Sequence, residues 1–532
     1  MARIKENGAA RVTVEVTRTD TEGSHFVSTV SLSAGDAGNR VEFGESIDWK
    51  TLYSNLKATF PLAANNEDAT YNWGLGTVRR PNAAERQFEV ASHQWIDLTD
   101  RNGSFGATIL TDCKNASDKP NNNTLRLTLV RSPGVDNDFT DQANQDWGHH
   151  EIVFGLAGHR GDWHGGQTDW QGYRLNQPLI AFTAARHEGS LGKQFSLVTV
   201  SNPRIQIMAL KKAELSDEIV LRMVEMDGRP QENVTVKFAG AIEAAREVNG
   251  QELPVPGNPT ISNGALVTNF TGYQPRTFAL KIAPSAAKAA ADTQNPVSLP
   301  YDVAISSDDD TKTVGGFDGK GNAIPAEMLP AALDFGPVTF QLAPAGTGKA
   351  NALAAKGQVL QLPAGSFNRV YVLAASSDGD QKATFQAGDK AVDLTIEDWG
   401  GFVGQWDSRL WNMPSHDWAI SANHAVWPRK ENDSVEPRYP DDYVGLTPGY
   451  IKPADLAWYC SHHHTADGLN EPYQYSYLFA YAIDLPVGAR TLTLPNNDKI
   501  KVLAVSVADE GPWVKPAQPL YDTLGRTEPT PK

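Results

Sequence analysis

The stretch EIVLRMVEM at residues 218–226, followed after Asp-Gly-Arg-Pro by NVTVKF at 233–238, decides the fold class. The first segment is a β-branched apolar run broken by Arg222 and Glu225, the second alternates apolar and polar positions, and turn-forming residues separate them. A period of two sends successive side chains to opposite faces, and Gly and Pro supply the turn, so this is a strand–turn–strand pattern. It recurs in both directions along the chain: VTVEV at 12–16, RLTLV at 126–130, FSLVTV at 195–200, FALKIA at 278–283, RVYVLAA at 369–375 and KIKVLAVSV at 499–507. Helical periodicity is scarce. The best candidates, AIEAAREV at 241–248 and APSAAKAAAD at 283–292, offer one to three turns each. Evenly spaced short strands, with no internal repeat of about 20–50 residues, predict an all-β protein built of sandwiches.

A chain of 532 residues exceeds what one hydrophobic core fills, so several domains are expected. Two breaks in texture divide it. Near Ser201-Asn202-Pro203 a loop-rich stretch gives way to compact strands, and an Ala/Pro/Asp-rich run at 283–300 has linker composition. The division is a large β-domain over 1–204, a small sandwich over 205–283, a linker at 284–297, a C-terminal sandwich over 298–515 and a polar tail at 516–532. With 47 basic and 63 acidic residues the formal net charge is −16, which repels polyanions and argues against nucleic acid. No run approaches the roughly 20 apolar residues of a membrane span, and the N-terminus lacks a signal-peptide core. Cys113 and Cys460 make neither a disulfide framework nor a thiolate zinc site, and they leave the compartment open.

Several motifs in order carry a family resemblance. Residues 46–62 hold Asp48-Trp49 and Phe60-Pro61, and Arg80-Pro81 follows. Residues 88–115 hold Trp95-x-Asp97-Leu98 and Asp112-x-Lys114, and 141–163 hold Asp141, Gly148 and His150. This series, closing on YQPRTFALKI at 273–282, resembles the C-terminal β-region of family 38 glycoside hydrolases, the α-mannosidases. Asn115, in place of an aromatic, and a long loop from Asp136 to Trp147 depart from the pattern. The resemblance implies a galactose-mutarotase-like super-sandwich, then a small sandwich. The remainder is similar to the jelly-roll-like, carbohydrate-binding-module-like sandwich that some bacterial members append. It further implies that zinc and catalytic carboxylates belong to an N-terminal α/β barrel, whose His-x-Asp and His-His-Asp signatures do not occur here. On that reading the chain has no catalytic residues or cofactor of its own, and its partners are a mannose-containing glycan and a fused or separately encoded barrel.

Candidate site residues fall in four groups. The resemblance suggests Asp141, His150, Arg160 and Trp163 as the rim of a sugar site, within a segment read as loop-rich; the competing reading is a loop network packed on the core. Trp399, Trp406, Trp411 and Trp418 crowd into twenty residues and suit either a sugar-binding face or an irregular core. His462 and His464, spaced i, i+2 on a strand, can hold a divalent metal, with the third ligand unspecified. The run Ser306–Asp310 offers oxygen ligands for calcium but lacks the ordered spacing of a calcium loop. Two further functions compete: a free-standing carbohydrate-binding protein, and an enzyme that pairs His150 with Asp141 or Glu151.

Overall fold

The alternation in the first third of the chain produces two sheets of unequal width. The computed structural model describes all residues except 85–87, 135–142, 185–188, 190, 258, 285–292, 402, 406–408, 412–442, 447–449, 511–513 and 518–532. Strands β1 (Ala2–Asn7), β2 (Arg11–Thr19), β3 (His25–Ser33) and β4 (Val41–Trp49) form an antiparallel meander. Then come β5 (Asn55–Pro61), β6 (Ala69–Trp73), β7 (Gly76–Arg80), β8 (Val90–Ala91) and β9 (Trp95–Thr99). β10 (Phe105–Thr111), β11 (Ala116–Asn121), β12 (Thr124–Arg131) and β13 (Gly148–Arg160) complete the unit. Nine strands pair in the order β1-β2-β3-β4-β13-β10-β9-β6-β7, and four pair as β5-β12-β11-β8. Ile47, Leu98 and Ile109 of the wide sheet meet Leu125 and Leu127 of the narrow one in a fully buried core.

The narrow sheet leaves part of the wide one uncovered. Over β1–β3 the apolar face is bare: Ile4 lies opposite Val14, Val14 opposite Val30 and Val12 opposite Leu32, and all five are exposed. On the other face of β2, Thr13 and Glu15 are buried, Glu15 held by Arg3 at 2.7 Å and Lys5 at 3.0 Å. The two-residue period of β2 is intact, with its usual burial inverted. Contiguous exposed apolar surface of this kind marks an interaction site more often than a free surface.

The segment read as loop-rich is largely strand. β13 runs for 13 residues and pairs with β4 on one side and β10 on the other. Ile152 and Phe154 bury its inner face. Beyond it, Thr168–Asn176 is the one α-helix among the described residues. No helix is long and apolar enough to cross a membrane among those residues.

Two four-stranded sheets follow, enclosing Leu221, Met223, Val236, Leu266, Phe278 and Leu280. The expected helix at 241–248 is instead the strand Ile242–Val248, laddered onto Pro275–Ile282. Burying Ile242 in that core, and Val248 at the far end of the strand, outweighs the helix preference of its Ala, Glu and Arg residues. The other helical candidate has residues 285–292 outside the described residues. Arg204 ties this unit to the preceding helix, reaching Asp169 at 2.9 Å and Asp227 at 2.6 Å.

The C-terminal region packs a six-stranded sheet, with Thr293–Val297, Asn496–Asp509, Arg369–Ser376, Asn470–Asp484 and Asp455–His464 in sequence across it, against a four-stranded one. Every residue of Arg369–Ser376 is buried. Thr293–Val297, assigned to the linker by composition, is an edge strand paired with Asn496–Asp509. Its Thr-Gln-Asn-Pro residues read as linker because an edge strand buries little; only Val297 of the five is buried. The chain is thus all-β, in sandwich-type units.

Candidate functional site

Where β13 ends, His159 and Arg160 pair with Gly106 and Phe105 at the start of β10. Beneath them Asp97, on β9, is completely buried. Strand alternation turns Asp97, Thr108 and His159 toward one another. His159 Nε2 donates to Asp97 Oδ2 at 2.6 Å, Thr108 Oγ1 donates to the same oxygen at 2.7 Å, and Thr99 Oγ1 donates to Oδ1 at 2.6 Å. Thr108 also meets the hydroxyl of Thr168, the first residue of the helix, at 2.9 Å. The imidazole needs two glycines. A Cβ on Gly106 would stand 2.5 Å from its Cε1, and one on Gly166 would stand 2.7 Å from its Cγ. Burial alone would depress His159, but the Asp97 carboxylate overrides it and holds the ring above its ordinary value of 6.5. The result is a buried, fixed carboxylate–imidazole pair that favours the protonated ring.

Above this dyad is a cleft of about 530 Å³, within the range that takes small ligands. Asn39, Arg40, His159, Arg160 and Gln171 give it a polar lining, and Leu32, paired with the half-buried Val41, joins it to the bare apolar face of β1–β3. Arg40 is held in place by Glu42 at 2.6 Å and donates to Gln171 Oε1 at 3.1 Å. Fixed guanidinium and amide donors suit sugar hydroxyls or a carboxylate.

The structure separates most of the residues expected to form the rim. Arg160 lines the cleft. His150 lies at the other end of β13, on the order of 30 Å from it at about 3.3 Å per strand residue. There His150 Nε2 donates to the Asp146 carbonyl at 2.6 Å. Trp163 is buried, packed on Trp95 with ring centroids 5.2 Å apart and stacked on His164 at 3.7 Å. Asp141 lies outside the described residues. The expected pairing of His150 with Glu151 is not formed: adjacent strand residues face opposite ways, and it is His149 that bonds Glu151 at 2.7 Å and Asp48 at 2.6 Å. Those two carboxylates raise His149 to about 9, that of Glu151 first.

Among the tryptophans, Trp399 is core rather than binding face, stacked on Phe317 at 4.6 Å and on His463 at 5.5 Å. Its burial follows from its place after the strand Lys390–Ile396, where the chain turns across the sandwich core. Trp411 is in the short strand Arg409–Trp411, and Trp406 and Trp418 lie outside the described residues. The acidic run does not gather into an oxygen cage: Asp308 accepts from the Thr347 amide at 3.0 Å, while Asp309 turns to His464 at 3.0 Å. Sequence reading missed the Asp97–His159 pair. Its signal was there, since Asp97 breaks the apolar run WIDL and His159 stands in the alternating GLAGHR, but nothing local says the two strands share β10.

Comparison with known proteins bears on the same regions. Residues 1–139 match the glycosyl hydrolases family 38 C-terminal domain, and residues 204–284 match the glycosyl hydrolases family 38 C-terminal beta sandwich domain. Residues 293–511 match an AziU2-like beta-sandwich domain. The chain is 28% identical over 253 residues to alpha-mannosidase 2C1 of Homo sapiens, covering 46% of this chain and 23% of that protein. It is 31% identical over 165 residues to an alpha-mannosidase of Saccharomyces cerevisiae, covering 29% and 14%. It therefore spans less than a quarter of the length of these relatives. An alpha-mannosidase structure from Enterococcus faecalis V583 overlaps 53% of this chain and 35% of its own at 19% identity and a TM-score of 0.44. Residues 1–139 and 204–284 are thus similar to the two C-terminal β-domains of glycosyl hydrolase family 38.

Proposed function

We propose that this chain is the non-catalytic β-region of a family 38 hydrolase acting on mannose-containing glycans. In this reading it seats a catalytic barrel on the bare face of β1–β3 and presents the His159–Arg160 cleft to the sugar. The observation that carries the proposal is continuity: Leu32 belongs both to the bare apolar sheet face and, beside its strand partner Val41, to the wall of the polar cleft. A domain docked on that face would close over the cleft. The α-mannosidase relatives supply the substrate class. The zinc that activates such an enzyme belongs, in this reading, to the barrel and not to the cleft.

The test combines turnover with binding. The chain alone is expected to leave an aryl α-mannoside intact, with or without zinc. It should bind an α-mannoside weakly by calorimetric titration, and Arg160→Ala should weaken that binding several-fold. Co-expression with a family 38 barrel should give a complex that Val14→Glu/Val30→Glu disrupts. Zinc-stimulated hydrolysis by the chain alone would overturn the proposal. Mannoside binding without any affinity for a barrel would favour a free-standing binding protein.

A further inference from the structure

The C-terminal sandwich brings together three side chains that have no part in the cleft. The strand Asp455–His464 ends in Cys-Ser-His-His-His, with a register shift between Cys460 and His462 where it pairs with Asn470–Asp484. His462 and His464 share one side, their ring centroids 5.8 Å apart, while His463 points away to stack on Trp399 and bond Glu471 at 3.0 Å. Asp309, 155 residues earlier than His464, follows the short strand Ser306–Ser307. That strand pairs with Ile324–Pro325, and Ala323 bridges to His464, so the sheet itself delivers Asp309 to the histidines. One ligand atom from each of Asp309, His462 and His464 lies within 4.8 Å of the other two.

Supporting contacts favour coordination over a plain ion pair. His464 is fully buried, and its Nδ1 meets Ser307 Oγ at 2.9 Å. That bond accounts for one ring nitrogen and fixes the other, Nε2, toward Asp309 Oδ1 at 3.0 Å, the arrangement typical of a metal-bound histidine with an outer partner. The Asp309 amide donates to Glu327 Oε1 at 2.7 Å, which holds its turn in place. Metal–ligand bonds of about 2.0–2.2 Å put ligand atoms roughly 3–4 Å apart, so small swings of Asp309 and His462 close the set on an ion. Both can move: Asp309 is exposed and His462 half-buried. Two imidazoles and one carboxylate suit borderline first-row cations, whereas calcium and magnesium prefer all-oxygen shells. The exposed side at Asp309 leaves room for water as a further ligand.

We propose that Asp309, His462 and His464 bind one divalent transition-metal ion of the zinc class in the C-terminal sandwich, with a coordination position open to solvent. The experiment uses the untagged full chain, freed of metal by a chelator and dialysed. Zn²⁺ is titrated calorimetrically, Co²⁺ binding is followed by its visible absorption, and Ca²⁺ serves as control. The expected result is one equivalent of Zn²⁺ per chain, Co²⁺ bands of low coordination number, and no Ca²⁺ binding. His462→Ala and Asp309→Ala should each weaken Zn²⁺ at least tenfold, and Ser307→Ala about 10–100-fold as the outer partner of His464. Because His464 is buried, the two surface ligands carry the test, with circular dichroism confirming that both variants stay folded. Failure to bind Zn²⁺ stoichiometrically, equal binding of Ca²⁺, or undiminished affinity in both surface variants would overturn the proposal.

Discussion

Asp97 concentrates the polar stakes of the first sandwich in one carboxylate. It is fully buried and accepts from two threonines and His159. Removing one partner of a buried charge pair leaves the other uncompensated, at a cost of about 3–5 kcal/mol. Asp97→Ala is therefore expected to lose that much stability in denaturant titrations. The pH dependence has a definite sign. His159 is raised above 6.5 when folded, so its contribution is fully present below about 6.5 and fades as pH rises through the higher folded value. The gap between wild type and Asp97→Ala should be widest near pH 6 and narrower at pH 9. An equal gap at both would mean that the dyad is not charged.

At the scale of elements, the strand Lys390–Ile396 leads into a buried carboxylate. Glu397 is almost fully buried near Lys452, at 3.4 Å, and its amide donates to Tyr481 Oη at 2.8 Å. Burial pushes Glu397 up to about 7 from 4.5, against the pull of Lys452 and with a push from Asp380. The folded state then binds the extra proton. Stability from this group is present below pH 4.5 and is lost as pH rises through about 7, on the order of 3 kcal/mol at most. Glu397→Gln should flatten the fall in melting temperature over that window and be the more stable protein above pH 7. Parallel profiles for the two proteins would show that the carboxyl is ionised throughout. The charge state of Glu397 was not legible in the sequence, because Lys452, Asp380 and Tyr481 reach it from other strands and loops.

The whole molecule contains separate cores. The sandwich of the first 160 residues, the small unit and the C-terminal sandwich each enclose their own apolar cluster. Arg204 and the bond between Tyr273 Oη and Thr77 Oγ1 at 3.0 Å join the first two. Contact with the third includes the short pairing of Phe182–Ala184 with Val514–Pro516. Chains with several separate cores commonly depart from two-state unfolding. Scanning calorimetry should show at least two transitions, with Asp97→Ala lowering one and Glu397→Gln shifting another. A single transition that moves with both variants would make the chain one cooperative unit.

The sequence by itself determined the all-β character. It also carried the family motifs, because a strand's two-residue period and its turn residues are local properties. Locality is also where that reading stopped. AIEAAREV turned from expected helix to strand when Pro275–Ile282 offered it a ladder. Trp163 and Trp399, equally plausible on a surface, went inside because the chain folds back over them. Asp97 meets His159 across 62 residues and Asp309 meets His464 across 155. Which strands are neighbours, and in what register, depends on burying apolar faces far apart in the chain. Only the tertiary structure could therefore decide which polar side chains converge.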